Sequence, residues 1–163
     1  MPESDAMLRT LVIGIGSHHG DDRLGWLAAE LIGMRDLPNV EVRLLATPGR
    51  LLNISGPWDH WLVMDACRGD DPPGTIHAFA WPDERLADTH FTGTHDLALG
   101  EALRLAETLE LLPPRVTIIA GQVSTDRPGL EVTRATHALA ERISSYVAEQ
   151  LAASDSCPEP RHA

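Results

Sequence analysis

The stretch "LVIGIGSHHGDDRLGW", Leu11 to Trp26, decides the fold. Its first part extends back to Leu8 and forms an apolar run that closes on Gly14 and Gly16. A short apolar run bounded by turn residues reads as a strand buried on both faces. From Arg23 to Met34 the apolar positions change period: Leu24, Leu27, Ala28, Leu31 and Ile32 share a helical face, with Gly33 and Pro38 marking its end. Strand, glycine turn and helix together look like the opening of a nucleotide-binding fold. The loop between them holds His18, His19, Asp21 and Asp22, where a phosphate loop is small and neutral. The third glycine of a dinucleotide fingerprint is displaced, and two carboxylates at a helix N-terminus oppose an anion. The loop therefore serves another chemistry.

The same alternation continues down the chain. "VEVRLLA" (40–46), "HWLVMDA" (60–66), "GTIHAFA" (74–80) and "RVTIIAGQV" (115–123) read as four further strands. "TPGRLLNI" (47–54) reads as a turn and short helix, with Thr47 as N-cap and Pro48 at the first helical position. "HDLALGEALRLAETLELL" (95–112) predicts a long helix with Leu99, Ala102, Leu103, Ala106 and Leu109 on one face. A terminal helix lies within 130–153, with Ala138, Ile143 and Val147 among its apolar positions. Strands alternating with helices imply a three-layer α/β/α sandwich around a mostly parallel, about five-stranded twisted sheet. One α/β domain over residues 1–153 is expected, with 154–163 as a tail without fixed structure.

The totals narrow the function classes. The 163 residues suit one domain, and 43% hydrophobic residues suffice for a core. With 13 Lys and Arg against 24 Asp and Glu, the formal net charge is −11. Without a basic cluster for counterion release, nucleic acid is not an expected partner. The two cysteines, Cys67 and Cys157, make neither a C-x-x-C pair nor a disulfide framework. "MPESDAMLRT" lacks the basic start and apolar run of a signal peptide, and no apolar run is long enough to span a bilayer. A cytoplasmic protein with no membrane partner is expected.

In open parallel sheets, sites form outside the carboxyl ends of the strands. Strand one runs into Asp21 and Asp22, and strand three ends at Asp65. The stretch after strand four leads to Gly93, Thr94 and His95 at the mouth of the long helix. Two carboxylates and an imidazole at one sheet edge suit a divalent transition metal, or acid–base work on a water. Each residue also has an ordinary reading. Asp21 or Asp22 would cap the helix near Arg23; Asp65 would be a turn residue; Thr94 would cap the long helix beside His95. His18 and His19 would be exposed loop residues, and Cys67 a small buried hydrophobe. His60, His77, His90 and His137 read as structural or surface positions. No Ser/His/Asp or Cys/His motif supports an acyl-enzyme.

In these motifs the sequence resembles the hydrogenase maturation proteases. Gly14-Ile15-Gly16-Ser17 and Asp21-Asp22-Arg23-Leu24-Gly25 resemble the family's G-[IV]-G-N and D-[DE]-x-x-G. "TPGRLLNI" is similar to its Gly-Thr-x-Gly-x-x-Leu-Leu turn, and "LVMDACRGDDPPGTI" to its strand, Asp-Ala and Pro-Gly-Thr segment. "GTHDLALGEALRLAETLELLPPRVTIIAGQV" is similar to its His, Leu-rich helix, Pro and following strand. The ordered set spans about residues 8–147. Departures are Ser17 for the family's Asn, Ala46 for its Gly, and a shorter loop that carries His18 and His19.

The resemblance implies an aspartyl-type endopeptidase that removes the C-terminal extension of a [NiFe] hydrogenase large-subunit precursor. It implies that nickel arrives as part of the substrate, with no organic cofactor. Asp22, Asp65 and His95 would contact that nickel, with Asp22 or Asp65 activating water and His18 and His19 as accessory contacts. Other readings of the same sandwich are a small-molecule hydrolase or nucleosidase, and a non-catalytic metal-binding maturation chaperone. The oligomeric state is not legible beyond the expectation of a monomer.

Overall fold

The computed structural model describes residues 7–93, 97–124, 129 and 131–156. Six strands form one sheet: β1 (Thr10–Ile15), β2 (Val40–Leu45), β3 (His60–Arg68), β4 (Ile76–Ala80), β5 (His90–Phe91) and β6 (Arg115–Gln122). The helices are α1 (Leu24–Met34), α2 (Leu99–Thr108) and α3 (Arg134–Ser156). The main path runs β2-β1-β3-β6-β4, with β5 paired to β3. Strands β2, β1, β3 and β6 are parallel, whereas β4 and β5 are antiparallel to their neighbours. The expected sandwich is present, with one strand more than expected. The addition, β5, is a two-residue pair of polar and aromatic character that has no period to detect.

Strand alternation divides the core into two layers. Leu11, Ile13, Ile15, Trp61, Val63 and Ile118 point to the side covered by α2 and by the 3-10 helix Pro48–Asn53. Val12, Leu62, Met64 and Ile119 point to the side covered by α1 and α3. Every residue of β1 is buried, as expected for a central parallel strand.

Several boundaries differ from expectation for local reasons. Helix α2 begins at Leu99 rather than His95, and it stops at Thr108, so Leu109 leaves the apolar face and is 55% exposed. Pro48 opens its 3-10 helix as expected, but the Thr47 side chain makes no capping hydrogen bond. Helix α3 buries Leu139, Ala140, Ile143 and Val147 but leaves Ala138 exposed. Its backbone continues through Ser156, past the Ser154 where the tail was expected to begin. No helix among the described residues is long and apolar enough to cross a membrane.

Candidate active site

The chain leaves β1, crosses to β2 on one flank, and returns to β3 on the other flank of β1. The crevice between β1 and β3 is therefore the topological switch point, where ligands bind in open α/β sheets. Pairing of β1 with β3 ends at Gly14 opposite Met64, while β3 stays paired with β6 as far as Cys67 opposite Gln122. Asp65 is the first β3 residue beyond the β1 ladder. The strand was expected to end at Asp65; it continues instead to Arg68. Alternation places its side chain with those of Val63 and Cys67, on the α2 side of the sheet.

Asp22 reaches this crevice because two glycines let α1 come close to β1. A Cβ on Gly25 would lie 2.2 Å from the Ile15 carbonyl oxygen and 2.6 Å from that of Met64. A Cβ on Gly14 would lie 2.4 Å from the Gly25 carbonyl oxygen. Neither side can carry a side chain, so the helix start sits directly on the ends of both strands. The preceding 3-10 helix, Gly20–Arg23, turns Asp22 towards β3. Gly14, part of the pattern that resembled a phosphate loop, thus serves helix–strand contact.

The Asp22 carboxylate is held on both oxygens. Ser17 Oγ donates to Oδ2 at 2.6 Å, and Thr92 Oγ1 donates to Oδ1. Asp65 is 1% exposed, and its Oδ1 accepts the Ala66 N–H at 2.8 Å. Its Oδ2 is buried and has no hydrogen-bond partner among the described residues. Burial first, and then the neighbouring Asp22 charge, push the Asp65 carboxyl well above the usual carboxylate range, against the Ala66 N–H bond. One buried oxygen without a donor, beside a second carboxylate, leaves a site of negative potential that a cation or a proton would relieve.

Asp21 serves a different structure. Its Oδ1 accepts the Thr133 N–H at 2.9 Å and the Thr133 hydroxyl at 3.1 Å, and Thr133 Oγ1 accepts the Thr136 N–H at 3.2 Å at the start of α3. Neither aspartate caps α1, whose N-cap residue Arg23 makes no side-chain capping bond. Asp21, one of the two carboxylates expected to cap the helix near Arg23, instead supports the start of α3, a partner 112 residues away in sequence.

The remaining candidates separate clearly. His18 and His19 are exposed; the His18 ring meets the Trp26 ring edge-on, 4.9 Å between centroids. Cys67 is buried, and burial first, with the Asp65 and Asp71 charges, pushes its thiol up to about 12, which removes it as a nucleophile. His60 is buried at the opposite end of the sheet, with Nε2 2.8 Å from Thr117 Oγ1. His77 lies 3.4 Å from Asp71, and His90 and His137 are exposed. Thr94, His95 and Asp96 lie outside the described residues. Among the described residues, no three His, Cys, Asp or Glu side chains are grouped to hold a metal ion. Thr92, which touches Asp22, was not singled out in the sequence, because a lone Thr in "HFTGTH" carries no pattern.

A family model described as hydrogenase maturation protease matches residues 46–150. The chain belongs to the hydrogenase maturation protease family. The matched segment includes Asp65 and the position of His95; Asp22 precedes it and is tied to the site by its geometry.

The solved structure of the hydrogenase-maturating endopeptidase HybD from E. coli is similar at 22% identity, covering 90% of this chain and 94% of that one, with a TM-score of 0.68. HybD from Thermococcus kodakarensis is similar at 22% identity, 89% and 99% coverage and a TM-score of 0.73. A hydrogenase 2 maturation peptidase from a Thaumarchaeota archaeon has 25% identity, 88% and 97% coverage and a TM-score of 0.62. The comparison with curated proteins finds no match. The protein is accordingly a maturation endopeptidase, and the three-layer fold is common to it and these structures.

Proposed function

We propose that this protease removes the C-terminal extension of a [NiFe] hydrogenase large-subunit precursor, and that it recognises the nickel already bound there through Asp22, Asp65 and His95. The observation that carries the reading is the buried, unpartnered Asp65 Oδ2 beside the Asp22 carboxylate. Two carboxylates in one crevice repel, and the arrangement becomes favourable when a cation enters between them. Oxygen donors with one imidazole suit a divalent transition metal. A metal that arrives held by the substrate needs few ligands from the protease.

His95 is three residues beyond Thr92, whose hydroxyl is on Asp22 and whose N–H donates to the Ala66 carbonyl at 2.9 Å. His95 enters the proposal through its place in the sequence, three residues after Thr92, and through the resemblance of its motif. Docking on the nickel holds the scissile peptide beside Asp22 and Asp65, and such positioning is worth several kcal/mol of barrier at about the level of intramolecular reactions. Asp22 or Asp65 then takes the proton of the attacking water, or the nickel polarises the scissile carbonyl. The exposed imidazoles of His18 and His19 are accessory contacts for the docked precursor. The reading places the enzyme in the cytoplasm with the precursor, as a monomer of one domain with a C-terminal tail, with nickel as the metal and no organic cofactor.

The test is incubation with the precursor in nickel-loaded and nickel-free forms, followed by intact mass. Shortening of the loaded form alone is expected. Equal shortening of both forms would overturn nickel recognition, and shortening of neither would overturn the choice of substrate.

A further inference from the structure

We propose that Thr92, with Ser17, is a positioning residue that fixes the Asp22 carboxylate relative to Asp65. The proposal rests on the reading that Asp22 meets the precursor's nickel. Three hydrogen bonds, linked through the covalent frames of Ala66 and Thr92, connect the two carboxylates. Asp65 Oδ1 accepts the Ala66 N–H, the Ala66 carbonyl accepts the Thr92 N–H, and Thr92 Oγ1 donates to Asp22 Oδ1. On the far side Ser17 Oγ closes on Asp22 Oδ2. Thr92 is 3% exposed and sits directly after β5, which pairs antiparallel with the end of β3. One residue therefore ties the end of β3 to Asp22.

The physical consequence is control of rotation. An ionised carboxylate offers about four acceptor positions on two oxygens. One donor on each oxygen fixes the carboxylate plane and leaves the remaining lone pairs free for a ligand. A metal contact depends on such orientation, and groups that orient ligands typically change affinity or activity by roughly 10–100-fold when removed. Neither hydroxyl is needed to touch the substrate. Their work is to prevent the Asp22 carboxylate from turning away in the field of Asp65.

The experiment compares Thr92→Val, which keeps the shape and loses the donor, with Thr92→Ser, which keeps the donor and loses the methyl. Ser17→Ala probes the other oxygen from a half-buried loop position. The assay is cleavage of the nickel-loaded precursor, read as kcat and KM, together with the Asp22 carboxyl carbon shift by NMR and the Tm. Thr92→Val and Ser17→Ala should each lower the cleavage rate roughly 10–100-fold and move the Asp22 carboxyl signal. Thr92→Ser should stay within a few-fold of the parent on rate and leave that signal in place. Thr92→Ser as slow as Thr92→Val would overturn the proposal by making the methyl, not the hydroxyl, the important group. An unmoved Asp22 signal in Thr92→Val and Ser17→Ala would also overturn it. If Thr92→Val does not fold, Ser17→Ala and Thr92→Ser decide alone by the same criteria. Asp22→Asn separates the two layers. Full cleavage in Asp22→Asn removes the nickel-contact reading, whereas loss there with unchanged Thr92→Val and Ser17→Ala removes only the positioning proposal.

Discussion

Asp65→Asn should make the protein more stable and inactive. The side chain is 1% exposed; its Oδ1 has the Ala66 N–H, and its Oδ2 has no partner among the described residues. The amide keeps the first bond and puts an N–H2 donor in place of the orphaned oxygen, within the field of the Asp22 carboxylate. Relieving one buried unsatisfied polar atom is worth about 1–3 kcal/mol. For a domain of this size that is a rise in Tm of roughly 2–12 °C. The effect has a definite pH sense. Burial and Asp22 raise the Asp65 carboxyl in the folded state, so the fold holds that proton more tightly than the unfolded chain does. Stability from this group is present at low pH and is lost as pH rises through the raised folded-state value. The asparagine lacks this slope, so its advantage should widen from pH 5 to pH 8.5. Thermal unfolding of both proteins at the two pH values measures it, beside cleavage of the nickel-loaded precursor. A lower Tm for Asp65→Asn at pH 8.5, or cleavage at the parent rate, would refute the reasoning.

His60 should make the fold acid-sensitive. Burial, and next the Arg115 charge, lower its imidazole from 6.5 to about 4, so the unfolded chain takes up a proton that the fold refuses. Urea unfolding of the parent against His60→Gln should show a relative loss of about 2.5 kcal/mol between pH 7.5 and 4.5, and a constant difference would contradict the burial argument. Gly25→Ala should cost about 3 kcal/mol or more, since its Cβ meets two backbone carbonyl oxygens at 2.2 and 2.6 Å; a Tm within 2–3 °C of the parent would show that α1 can withdraw freely. His18→Ala with His19→Ala should raise KM for the nickel-loaded precursor several-fold with kcat retained. Unchanged kinetics would leave the two imidazoles as solvated loop residues.

Local pattern in the sequence determined much of this protein. The apolar run before Gly14 and the helical spacing after Arg23 specify β1 and α1, because burial on two faces and on one face leave different periods. The same patterns specify β3 and β6, and the positions of Asp22 and Asp65 after or within buried strands marked them as site candidates. Other features depend on contacts between segments far apart in the chain, which leave no local period. Strand order put the crevice between β1 and β3, and only that order brings Asp22 to Asp65. The choice between two adjacent aspartates was made by Thr133 and Thr92, which lie 112 and 70 residues away. The two-residue β5 was invisible for the same reason: its conformation is imposed by β3, and it delivers the Thr92 hydroxyl to a carboxylate that no reading of "HFTGTH" would supply. Periodicity records how a residue is buried, whereas the site is made by which buried elements are neighbours, and that is fixed only when the sheet assembles.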